Sequence, residues 1–162
     1  MRISTRIGDI FIAQLDNGKL RFFQLIARDQ SSLNGDVIRI FASHYNKDGI
    51  PSIEELIKGP IERYMHTYVI NGIRLGYWEK FANTKDIGTV NIYFKDSLDD
   101  FYPRHNVVSK RWEIWVINGP RLFVGELPKE CAKYEIGTVF APIAVMIQLN
   151  TGNYQEPCYP LY

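Results

Sequence analysis

The chain has 162 residues, enough for one domain with its own hydrophobic core and no need of a disulfide or metal framework. Nine Phe, three Trp and ten Tyr supply large side chains to bury, which excludes intrinsic disorder as the main state. Nineteen Lys and Arg against eighteen Asp and Glu give a net charge of +1, which provides no global field for a polyanion and argues against a dedicated nucleic-acid binder.

The N-terminal residues Met1 to Asp9 hold two arginines but no apolar core of a secretory signal, and no apolar run is long enough for a membrane span. The expectation is a cytoplasmic protein. Cys131 and Cys158 lack the spacing of a zinc or redox pair and read as two free thiols in a reducing compartment, with a single bridge between them as the alternative in an exported protein.

The run Ile10 to Leu15, the turn Asp16-Asn17-Gly18-Lys19 and the run Leu20 to Ala27 predict a β-hairpin, because Asn-Gly suits a tight turn between apolar strands. Ser31 to Gly35 punctuates, and Asp36 to Phe41 alternates as a half-buried third strand. After Asn46 to Gly49, Ile53, Leu56 and Ile57 fall at helical spacing with acidic residues near the start, so a short helix is expected over 51–58, stopped by Gly59-Pro60. Tyr64 to Ile70, Asn71-Gly72 and Tyr77 to Phe81 read as a second hairpin, and Ile87 to Phe94 as a further strand. Lys95 to Arg104 reads as a long polar loop with aromatic residues. Arg111 to Ile117, Asn118-Gly119-Pro120 and Arg121 to Val124 form a third hairpin. Pro142 in a first turn and Gly152 at a stop mark a helix over 142–151, and Tyr154 to Tyr162 reads as an extended tail. The repeated Ile-Gly at residues 7–8, 87–88 and 136–137 is too irregularly spaced for a solenoid or propeller.

These elements predict a single α+β domain over residues 1–162, dominated by antiparallel strands in a strongly bent sheet or partly open barrel, with two or three short helices. Phe11 and Trp78 are expected on buried strand faces. Trp112 and Trp115, three residues apart, should point to opposite faces, one buried and one partly exposed.

Chemistry-bearing patterns are sparse. His44, His66 and His105 are in no metal-ligand spacing, and no cofactor or metal is implied. His66, among Tyr64, Met65 and Tyr68, reads as a hydrogen-bonded structural histidine. No nucleophile elbow, phosphate loop or dinucleotide turn occurs. Cys131 sits between lysines on what reads as an ordinary solvated face.

Gly8-Asp9-Ile10-Phe11, Asp16 to Lys19, Phe22 to Ile26, Ile38 to Phe41 and Gly72 to Phe81, in that order, resemble the immunity protein 26 family over about residues 7–83. Members of that family are understood as antidotes encoded beside bacterial polymorphic toxins. The resemblance implies a protein that binds a cognate toxin and supplies no catalytic residues; the second half of the chain carries no matching motif. The expected interface combines the loop 96–104 with the exposed face of the 51–58 helix, and its candidate contacts are Glu54, Glu55, Asp99, Asp100, Tyr102 and Arg104. Two alternatives stand beside it. One is a small β-rich hydrolase or nuclease using His105 with Asp99 or Asp100, and the other a carbohydrate-binding or envelope-associated module with exposed aromatic residues.

Overall fold

A computed structural model describes residues 3–99 and 108–153. The first hairpin forms as expected from β1 (Asp9–Gln14) and β2 (Leu20–Asp29), followed by β3 (Gly35–Phe41). Next come α1 (Ile53–Lys58), β4 (Ile61–Thr67), α2 (Val69–Arg74) and β5 (Glu79–Asn83). The remainder comprises β6 (Tyr93–Ser97), β7 (Trp112–Val116), β8 (Leu122–Gly125), β9 (Glu135–Ile136), β10 (Val139–Phe140) and α3 (Pro142–Thr151).

The strands make two sheets, ordered β10-β4-β3-β2-β1-β5 and β8-β7-β6-β9, neither closed into a barrel. Pairing is antiparallel except where β10 meets β4 and β9 meets β6. The short stretch 135–140 therefore stitches the sheets together, its first half in one and its second half in the other. This is an α+β fold with three short helices among the described residues.

Both faces of the first sheet are covered. Phe11, Phe23, Leu25, Ile38, Ile40 and Met65 point to one face, where Trp78, Val69 of α2 and Val145 and Leu149 of α3 close over them. On the opposite face Phe22, Phe41 and Ile10 meet Leu56 of α1, while Ile26 and Val37 meet Phe94 and Trp115 of the second sheet. All seven residues of β3 are consequently buried, where the alternating pattern had suggested a half-exposed strand. Its polar residues are accommodated by pairing. The Arg39 guanidinium donates to Gln24 Oε1 at 2.8 Å and to the Asp86 carbonyl at 3.0 Å, and Gln24 Nε2 donates to the Gly8 carbonyl at 3.1 Å.

Helix α1 begins with a complete capping box: Ser52 Oγ accepts from the Glu55 N–H, and the Glu55 carboxylate accepts from the Ser52 N–H. The expected second hairpin is absent. Residues 69–74, read as strand end and turn, form α2, and β5 pairs with the edge of β1 instead of with β4. The cause is tertiary. Asp36 Oδ2 on β3 accepts the Val69 N–H at 3.0 Å, supplying the cap that Tyr68 lacks, and α2 then leads the chain toward the β1 edge. The strand expected over 87–94 begins only at Tyr93, and Lys95 to Ser97, expected in a loop, extend it. The third hairpin and the helix at 142–151 form as expected.

Candidate functional site

The densest polar arrangement lies between the sheets. Asp29, the last residue of β2, directs Oδ1 to the backbone N–H groups of Ser31 and Asn118, each at 3.0 Å. Its Oδ2 accepts the Trp115 indole N–H at 2.9 Å and faces His66 Nε2 at 2.8 Å. Since the carboxylate accepts, Nε2 carries a proton toward it, and Nδ1 has no hydrogen-bond partner among the described residues. Both side chains have no exposure, and the imidazole lies against the Phe94 ring with centroids 4.2 Å apart. Burial pushes the Asp29 carboxyl up, but the bonds from His66, Trp115 and Asn118 outweigh it and hold the group well below the ordinary carboxylate range. The arrangement ties β2 and β4 of one sheet to β7 of the other. His66 thus has the structural surroundings expected of it.

Arg121 caps this junction from outside. Its guanidinium stacks 4.0 Å over Trp115, donates to the Ser31 carbonyl at 2.9 Å and reaches Glu113 at 3.1 Å and Asp96 at 3.6 Å. Asp96 and Glu113 are directly opposite on β6 and β7, so the arginine offsets a cross-strand like-charge pair. Burial pushes the Asp96 carboxyl up while Arg121 draws it down.

Trp112 and Trp115 do take opposite faces, but both are buried, at 0% and 2% exposure. Trp115 lies under the first sheet, and Trp112 is covered by Leu127 and Cys131. Cys131 is correspondingly buried in a short turn and not on a solvated face, because the segment 127–134 folds back over β7. Cys158 lies outside the described residues.

The expected contact residues fall in different settings. Glu54 is exposed on α1, whereas the neighbouring Glu55 closes the capping box. Asp99 accepts from Ser109 Oγ at 2.9 Å and from the Lys110 N–H at 2.8 Å, and these bonds hold its carboxyl below the ordinary range. Asp100, Tyr102, Arg104 and His105 lie outside the described residues. Helix α1 packs on the Phe22 face of the first sheet and Asp99 follows β6 of the second, so the two parts of the expected interface belong to different sheets.

A concave surface that the sequence reading did not identify runs along the side of Tyr77. One groove of 410 Å³ is bounded by Ile12, Leu20, Ile73, Trp78 and Glu79, and a second of 390 Å³ by Asp16, Ile143, Met146 and Ile147. They share Gln14, Gly76 and Tyr77. The hairpin and α3 are fixed to each other by the Asp16 N–H, which donates to Asn150 Oδ1 at 2.9 Å. Asp16 and Glu79 are visible in the sequence only as turn and strand polar residues; their convergence depends on α2 and on the β5–β1 pairing. No helix among the described residues is long and apolar enough to cross a membrane, and no three His, Cys, Asp or Glu side chains among them group as a metal site.

Comparison of the chain with protein-family models, with curated proteins and with solved structures gives no match.

Proposed function

We propose that the protein neutralises a cognate bacterial toxin by stoichiometric binding and performs no reaction of its own. The observation that supports this reading is that the segments resembling the immunity protein 26 family belong to one packed unit. Gly8 to Phe11, Phe22 to Ile26 and Ile38 to Phe41 lie in or directly beside adjacent strands, and Trp78 meets Phe23 edge-on, with centroids 5.1 Å apart. An antidote needs a surface complementary to its partner on a stable frame, and such a frame is what these segments build. The partner contacts proposed are Glu54, Asp99 and the neighbouring Asp100, Tyr102 and Arg104, with Glu55 positioning the helix that presents Glu54.

Co-expression with the product of the adjacent toxin-like reading frame should restore growth, and the two proteins should co-purify as a stoichiometric complex. Asp100→Lys combined with Tyr102→Ala should weaken the rescue while leaving the circular dichroism spectrum unchanged. Full protection by that double variant removes the 96–104 segment from the interface. Failure to bind the product of any adjacent gene overturns the antidote reading.

A further inference from the structure

We propose that the paired grooves beside Tyr77 dock a cationic, apolar segment of a protein partner, one apolar side chain entering each groove. The inference rests on the binding reading above only in making the occupant a segment of protein. Three observations converge on it. Each groove carries apolar side chains among its polar ones, Ile12, Ile73 and Trp78 on one side and Ile143, Met146 and Ile147 on the other. Among the described residues, the charged ones lining them are Asp16 and Glu79, one in each groove. Both are exposed, and neither carboxylate has an ion pair or side-chain hydrogen bond among the described residues.

This last point separates them from the other acidic groups of the same sheet. Asp9 is held by Lys80 at 2.7 Å, Asp36 by Arg28 at 3.3 Å, and Glu62 by Arg21 at 2.9 Å. These two carboxylates without a partner among the described residues give the grooves a local negative charge that the near-zero net charge of the chain conceals, and a Lys or Arg flanking each apolar anchor complements it. The walls are set before binding. Asn150 holds the Asp16 turn, and the Tyr77 N–H donates to the Gly72 carbonyl at 2.9 Å, so little ordering opposes association. Two adjoining grooves of this size suit a short segment and not the roughly 800 Å² per partner of a standard globular interface.

A nuclear magnetic resonance titration tests this with two short synthetic peptides, one of alternating lysine and leucine and one of alternating glutamate and leucine. The lysine peptide should shift the amides of Gln14, Gly76, Tyr77 and Asn150, and the glutamate peptide should not. Asp16→Lys with Glu79→Lys changes two exposed side chains, leaves the fold intact and should weaken binding of the lysine peptide about tenfold or more. Equal binding of both peptides, shifts centred elsewhere, or undiminished binding by the double variant overturns the inference. Self-association of the free protein that this double variant abolishes also overturns it, since the occupant is then a second copy. The outcome is independent of the co-expression experiment: a chain that binds the lysine peptide here and no adjacent toxin keeps this inference and loses the antidote reading, and the converse result does the opposite.

Discussion

Replacing Asp29 by Ala is expected to destabilise the protein by roughly 3 to 5 kcal/mol, because several buried donors lose one shared acceptor at about 1 to 3 kcal/mol each. The substitution leaves the Trp115 indole N–H, the His66 imidazole and the amides of Ser31 and Asn118 without their acceptor inside a buried junction. Asp29→Asn keeps the shape but turns an amide N–H toward donors, so it also destabilises. Urea unfolding measures both; a loss below about 1 kcal/mol in both variants would show that the tie between the sheets contributes little. The pH dependence has a definite sign. The Asp29 carboxyl is depressed in the folded state, so its contribution is present above the ordinary carboxylate pKa of about 4 and is lost as pH falls below it toward the folded value. Asp36 and Asp96 are raised by burial and act in the opposite direction. The stability difference between the wild-type protein and Asp29→Asn should therefore be largest near neutral pH and shrink on acidification below about pH 4.

The elements legible in the sequence are those specified by neighbours along the chain. The β1–β2 hairpin has its turn residues between its strands, α1 has its capping box within four residues, and α3 has Pro142 at its start and Gly152 at its stop. The elements misread depend on distant partners. Helix α2 is capped by an aspartate 33 residues earlier, and β5 finds β1 across the sheet. The full burial of β3 requires a second sheet whose packing no local alternation reveals. The same reasoning applies to function. Glu54 and Glu55 look equivalent on paper and both are exposed, yet only Glu55 is tied down, by its bond to the Ser52 N–H in the capping box. Asp16 and Glu79 become a pair of groove residues only once Tyr77 is fixed between the hairpin and α3. The alternation that assigned Trp112 and Trp115 to opposite faces was sound, but it could not show that each face has its own cover.

Trp78→Ala should cost roughly 3 to 5 kcal/mol, as should Phe11→Ala in the same cluster, because each leaves a cavity under α2 and α3. Trp78 also donates its indole N–H to the Val69 carbonyl at 3.0 Å, so its loss frees a buried acceptor as well. Gly72 gives this prediction a sharper form. It lies inside α2, where Ala is favoured over Gly by about 1 kcal/mol on helix propensity alone. A Cβ there would stand 1.8 Å from Trp78 Cζ2, far inside van der Waals contact, and the buried indole is packed edge-on against Phe23 and hydrogen-bonded to the Val69 carbonyl, so moving it breaks both contacts. Overpacking of a rigid ring costs about 1 to 3 kcal/mol or more, which exceeds the propensity gain, so Gly72→Ala should destabilise the wild-type protein. In the Trp78→Ala background the obstruction is gone and only propensity remains, so the same change should become neutral or stabilising. A double-mutant cycle by chemical denaturation reads this reversal of sign directly. Equal effects of Gly72→Ala in the two backgrounds would mean that helix and indole do not meet, and that residues 69–74 are held against the sheet by something other than Trp78.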